Sequence, residues 1–289
     1  MSNDIYWLWL SRIKKLGSIK AQKLLEKYKT PERIWNCKKQ DLLQVQQIGE
    51  ETANEILKEE YRKNLDKYQK YMEQNQIKLI SIQNKNYPEK LKNIYDKPIV
   101  LYVKGNEKIL NEFSLAIIGC RENTKYGETV TKQIASNLAR KDIITISGLA
   151  KGIDSISQRE TVNQKGKTIA VLGNGLDTIY PLENKRLAQS IIENGGAIIS
   201  EYIIGTKIEK MNFPARNRII SGLSDGVVVI EAKKKSGTMI TVDFALEQGK
   251  NVFAVPGNIT SRNAEGTNEL IKQGAKVITC VEDILEEYN

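Results

Sequence analysis

The chain has 289 residues, enough for one large domain or for one plus a small one. It is 40% hydrophobic and 27% charged, as a globular protein is, and no apolar run approaches the roughly 20 residues a bilayer-crossing helix needs. It contains no histidine, which excludes Ser-His-Asp triads, Cys-His pairs and histidine metal ligands together. The start, MSNDIYWLWLSRIKK, has an acid before a short apolar patch and no small-residue cleavage site, so it makes a poor signal peptide. Cys37, Cys120 and Cys280 are isolated and odd in number, which speaks against a disulfide framework or a zinc site and fits a reducing cytoplasm. The net charge of +9 is uneven. Residues 1–110 hold 22 Lys+Arg against 14 Asp+Glu, and residues 111–289 hold 22 against 21. A polyanion site in the second part would need local clustering of charge, because there is little bulk field.

Residues 1–62 read as a small all-α domain. Apolar side chains recur at helical spacing, and Thr30-Pro31-Glu32 has the form of a helix start. LGSIKAQKLL (16–25) and QIGEETANEIL (47–57) resemble helix-hairpin-helix turns, whose amides can hold phosphate. Glu50 and Glu51 in the second would repel it, which favours packing or partner docking for this SAM- or helix-hairpin-helix-like module. Residues 63–110 read as a helical connector followed by two short strands that extend the next sheet. Residues 111–289 alternate apolar strands with segments that are mostly long enough for crossover helices. The strands are 115–118, 143–146, 168–172, 197–199, 227–230, 252–255 and 276–279. Such β-branched runs predict an α/β, doubly wound, Rossmann-like parallel sheet covered on both faces.

Glycine loops follow these strands at Gly119-Cys120-Arg121, at 147–154, at 173–177 and at Pro256-Gly257-Asn258. In a doubly wound sheet the carboxyl ends open on one crevice, so these loops should converge there. Glycine lets backbone approach a ligand and helix N-termini favour an anion, so the convergence points to a phosphate-bearing ligand. Neither G-x-G-x-x-G nor G-x-x-x-x-G-K-[ST] is present, which argues against NAD and P-loop chemistry, and no cofactor or metal is expected. The segment FPARNRIISGLSDGVVVIEA (213–232) brings an aromatic and two arginines together ahead of Lys233–Thr238. Arginine forks suit phosphate and an aromatic suits a base, so the segment fits a single-stranded nucleic acid. The alternative is a buried arginine network that ties two loops together.

The strings GCRENTKYG, SGLAKGID, TIAVLGNGLDTIYPLEN, FPARNRIISGLS, SGTMIT, ALEQGKNVFAVPGN and GTNELIKQGA follow one another in that order over 119–275. Together they resemble the DNA-processing protein A (DprA/Smf) family. The resemblance implies a cytoplasmic, homodimeric single-stranded DNA binder with no enzymatic activity. Such a protein protects incoming DNA in natural transformation, displaces single-strand-binding protein and loads the RecA recombinase. Carried over by motif, Arg121 contacts phosphate, and Phe213, Arg216 and Arg218 line the groove. Gly148, Lys151, Lys233, Lys234 and Thr238 are further DNA contacts, and Asn217 fixes loop geometry. Gln158 stands where the family often has histidine, which reads as a surface or packing change. The winged-helix domain of some members does not follow the sheet in this sequence, so duplex binding through one is not expected.

The alternative is a nucleotide-ligand binding protein or a phosphoribohydrolase-like enzyme. The enzymes of that type carry P-G-G-x-G-T-x-x-E, with an acid–base glutamate. Here KKSGTMIT has one glycine fewer and puts Thr241 at the glutamate's place, leaving little to cleave a glycosidic bond.

Overall fold

The computed structural model describes residues 4–288. Among these, nine strands form one sheet: β1 (Ile77–Ser81), β2 (Val100–Gly105), β3 (Ser114–Ile118), β4 (Ile144–Ser147), β5 (Thr168–Val171), β6 (Ala197–Ser200), β7 (Gly226–Val229), β8 (Asn251–Ala254) and β9 (Lys276–Val277). Their order is β1-β2-β6-β5-β4-β3-β7-β8-β9. The seven from β6 to β9 are parallel, while β1 and β2 add antiparallel strands at the β6 edge. The sheet is thus α/β and Rossmann-like as expected, with a mixed rather than purely parallel ladder.

Side-chain alternation along the strands assigns the two faces. Leu101 and Val103 of β2, Ala116 and Ile118 of β3, and Val227 and Val229 of β7 pack with Ile219, Leu223, Val242 and Leu270. These come from the helices Asn212–Leu223, Gly237–Glu247 and Glu265–Lys272. Leu115, Ile117 and Val228 face the other way, onto Ile134, Leu138 and Ile153 of helices Lys125–Arg140 and Ile153–Asn163. Period-2 strands covered on both sides explain why nearly every strand residue is buried.

The N-terminal helices cover the rest of that second face. Trp7, Leu8, Trp9 and Leu10 share a cluster with Tyr102, Leu172 and Ile198, and the Ser11 and Tyr102 hydroxyls lie 2.6 Å apart. Thr30 caps the helix Pro31–Trp35, its hydroxyl accepting the Arg33 N–H at 3.4 Å. Residues 1–62, read as a separate domain from the sequence, share their core with the sheet over the described part. Gln158 is fully buried and donates to the Ile169 carbonyl at 3.0 Å, so of the two alternatives it is a packing residue, not a surface one.

Candidate nucleic-acid interface

The strand order reverses between β3 and β7. Their following helices leave for opposite faces, and a crevice opens at the carboxyl ends of the strands. Here lies a cleft of about 820 Å³ lined by Arg121, Asp154, Tyr180, Phe213, Arg216 and Lys233, with Thr238 and Thr241 at its side.

The loop after β3 is held by its neighbours. Thr124 caps Lys125–Arg140, accepting the Gly127 N–H at 3.1 Å. Glu231, just past β7, accepts the Thr124 N–H at 2.9 Å and its hydroxyl at 2.5 Å. The turn after β4 leans on the same loop. Gly152 has φ +75°, and a Cβ there would strike the carbonyl oxygens of Cys120 and Arg121. Only glycine fits that approach. Arg121 is thereby fixed at the mouth, exposed, with its guanidinium 6.0 Å from the centre of the Phe213 ring.

Phe213 and Arg216 lie one turn apart on the helix Asn212–Leu223. Arg216 is only 4% exposed and forms the floor of the cleft rather than its rim. It donates to the Gly148 carbonyl at 2.7 Å and to the Val171 carbonyl. Gly148 in turn donates its N–H to Asp154 at 3.1 Å. Burial pulls the Arg216 pKa down to about 10, the Asp154 carboxylate resists this, and the Arg121 cation adds to it. Burial also raises the Asp154 pKa, against the pull of Arg216.

The remaining residues singled out from the sequence fall in different places. Lys233 and Thr238 reach the cleft, and Lys233 pairs with the exposed Glu122 at 3.5 Å. Lys234 is exposed next to it. Lys151 pairs with Glu183 at 2.6 Å on the surface, outside the cleft lining. Gly148 has both its amide and its carbonyl bonded internally, and a Cβ there would press on the Arg216 guanidinium at 2.5 Å. Its structural part is to seat Arg216.

The structure gives Arg218 no place in the groove. It is 4% exposed, with both Nη atoms on Glu201 at 2.5 and 2.7 Å and its Nε on Asp96 at 2.9 Å. Burial works against its charge, but these carboxylates outweigh it and hold its pKa above the ordinary arginine value. Arg218 is thus part of a buried arginine network, which ties the helix to the segment before β2 and to the end of β6. Asn217 accepts from Arg216 Nε at 3.2 Å and donates to the Gly237 carbonyl at 3.3 Å, so it does fix loop geometry. Asp154, Tyr180 and Lys210 also line the cleft and were not singled out from the sequence. An aromatic in a post-strand loop is the signal that would have found Tyr180, whereas Asp154 sits in the quoted SGLAKGID string but announces no partner.

The family model of DNA recombination-mediator protein A matches residues 78–289. This chain belongs to that family. DNA processing protein DprA of Bacillus subtilis is 46% identical over 218 residues, covering 75% of this chain and 73% of that protein. The X-ray structure of DprA from Streptococcus pneumoniae superposes with a TM-score of 0.85 at 35% identity, over 99% of this chain and 98% of that one. The Helicobacter pylori DprA structure, described for its single-stranded DNA binding mode, gives a TM-score of 0.67 at 33% identity over 74% of this chain and 95% of that one. The fold class and the family read from the sequence both hold.

Proposed function

We propose that this protein binds single-stranded DNA in the crevice at the carboxyl ends of β3 and β7. The observation that carries the reading is the convergence of Arg121 and Arg216 beside the half-exposed Phe213 ring. Guanidinium groups neutralise backbone phosphate and an aromatic face accepts any base, the combination that sequence-tolerant single-strand binding needs. Lys233 and the neighbouring Lys234 would extend the positive rim, and Lys151 would meet the strand outside the cleft lining. The strand-binding mode described for the H. pylori relative supports the same reading.

In this reading the protein is a mediator, not an enzyme, and works in the cytoplasm. It protects incoming DNA during natural transformation, displaces single-strand-binding protein and loads RecA. Family membership supports this, and so does Thr241, which stands in the cleft where a phosphoribohydrolase has its glutamate. A homodimer joined through the sheet domain would set two clefts on one strand.

Gel-shift titration of purified protein against single- and double-stranded oligonucleotides over a range of salt tests the binding. Tighter binding to the single strand, weakening linearly in log–log salt, is expected; equal binding to both overturns it. Loading is tested by RecA filament formation on DNA coated with single-strand-binding protein. Release of free base from nucleoside monophosphates would favour the enzyme instead.

A further inference from the structure

We propose that Tyr180 is a second base platform of the cleft, and that Tyr180 and Phe213 hold two neighbouring bases of a bound strand splayed apart. The proposal rests on the single-strand reading above and adds to it a residue and a geometry.

A tyrosine kept for packing buries its ring and bonds its hydroxyl. Tyr87 and Tyr102 do so, the first donating to the Pro98 carbonyl at 2.7 Å and the second paired with Ser11. Tyr180 does neither. Its ring is 43% exposed in the cleft lining, and its hydroxyl is bonded to nothing among the described residues. Yet the loop that carries it is tied on both sides. Asn174 donates to the Thr178 carbonyl at 2.7 Å, and Asn184 donates to the Leu149 carbonyl at 2.9 Å. Pro181, next in sequence, is buried. An exposed aromatic on a fixed loop is a preformed surface, which costs little order when a flat ligand settles on it.

The relation to Phe213 sets what that ligand can be. The two ring centres are 5.7 Å apart and the planes meet at 44°. One base slotted between parallel rings would need about 7 Å, two contact distances of about 3.5 Å each. The rings are too close and too tilted for that. They form an open wedge whose two outer surfaces point in different directions, with Arg121 beside the Phe213 ring. Two successive bases, one on each ring, would be turned out of mutual stacking while the phosphate between them stays near the guanidinium. A rigid duplex cannot offer this, so the wedge also selects for single strands.

The test uses the full chain with Tyr180→Ala and Tyr180→Phe, and a short single-stranded oligonucleotide of adjacent 2-aminopurines. Stacked 2-aminopurines give an exciton-coupled circular dichroism signal that splaying removes. Wild type should abolish the signal at saturation. Tyr180→Ala should bind about 5- to 150-fold more weakly, the scale of one stacked base, with an unchanged salt slope. It should also leave the exciton signal in place at saturation, while Tyr180→Phe should match wild type. Melting temperatures should not change, because the ring is exposed. If wild type binds but Tyr180→Ala binds equally well and still removes the signal, the proposal is wrong and the single-strand reading stands. If wild type leaves the oligonucleotide free, both fall.

Discussion

At the residue scale the two cleft arginines should behave differently, because one is exposed and the other buried. Arg121→Ala removes an exposed charge at the mouth. It should weaken single-strand binding and lower the log–log salt slope by about 0.7, with the melting curve unchanged. An unaltered slope would place the phosphate path elsewhere. Arg216→Ala removes the charge that faces buried Asp154 and leaves the Gly148 and Val171 carbonyls without their donor. Leaving buried acceptors unpaired costs about 1–3 kcal/mol, so this variant should lose stability of that order in urea unfolding as well as DNA affinity. A fully stable Arg216→Ala would show that the floor network is slack. Phe213→Ala should lose about 1–3 kcal/mol of binding with no change in salt slope, since a stacking face goes and no charge does. Normal binding by this variant would make the ring a packing element. The sequence made Arg121 and Phe213 readable as ligand groups, but Arg216 and Arg218 look alike in it. Only the fold puts Glu201 and Asp96 around one and open cleft above the other.

At the element scale the glycine loops act as spacers that seat the arginines, more than as phosphate cradles. Gly152 is the clearest instance, with its positive φ and its approach to the Cys120 and Arg121 carbonyls. Gly152→Ala meets both a forbidden backbone region and a backbone clash, a cost on the order of 1–3 kcal/mol for the conformation alone. The β3 and β4 loops should move apart, shifting Arg121. The expected result is a lowered melting temperature together with weaker DNA binding; loss of neither would mean the turn can relax freely. Gly205, also at positive φ (+83°) but with open space where a Cβ would go, is the control: Gly205→Ala carries the same order of conformational cost without the clash, and should lower stability while leaving binding little changed. That the loops after β3 and β4 meet at one cleft was legible in the sequence because apolar strands and glycine turns alternate so regularly. Pro256, Gly257 and Asn258, expected there too, line a separate pocket with Thr124, Tyr126 and Glu231. The internal use of the Gly148 amide was not legible, because it depends on Asp154 and Arg216 meeting across two strand ends.

At the scale of the whole molecule, the sequence's separation of residues 1–62 from the sheet meets a shared core. Helical periodicity located those helices but carried no information on what covers Tyr102 and Ile198. Trp7, Leu8 and Leu10 cover them. Deleting residues 1–62 would therefore bare a face of the sheet, and aggregation of the truncated chain would say nothing about assembly. A point substitution serves better. In the helix Gly237–Glu247, Leu246 is 58% exposed while Val242 and Ala245 are buried, and Met239 and Phe244 are only partly covered. A two-fold contact through this face would bury that apolar remainder against its own copy. Leu246→Asp puts two charges against each other across such an axis and leaves the core of each subunit intact. Wild type should sediment as a dimer at micromolar concentration and the variant as a monomer. The same variant should bind a long oligonucleotide on the order of 100-fold more weakly or worse, since linked sites gain about that much from effective concentration. Its affinity for an oligonucleotide that fills one cleft should stay as it was. A Leu246→Asp protein that remains dimeric would move the interface off this helix, and a dimer lost together with single-cleft binding would mean the face supports the cleft rather than a second subunit.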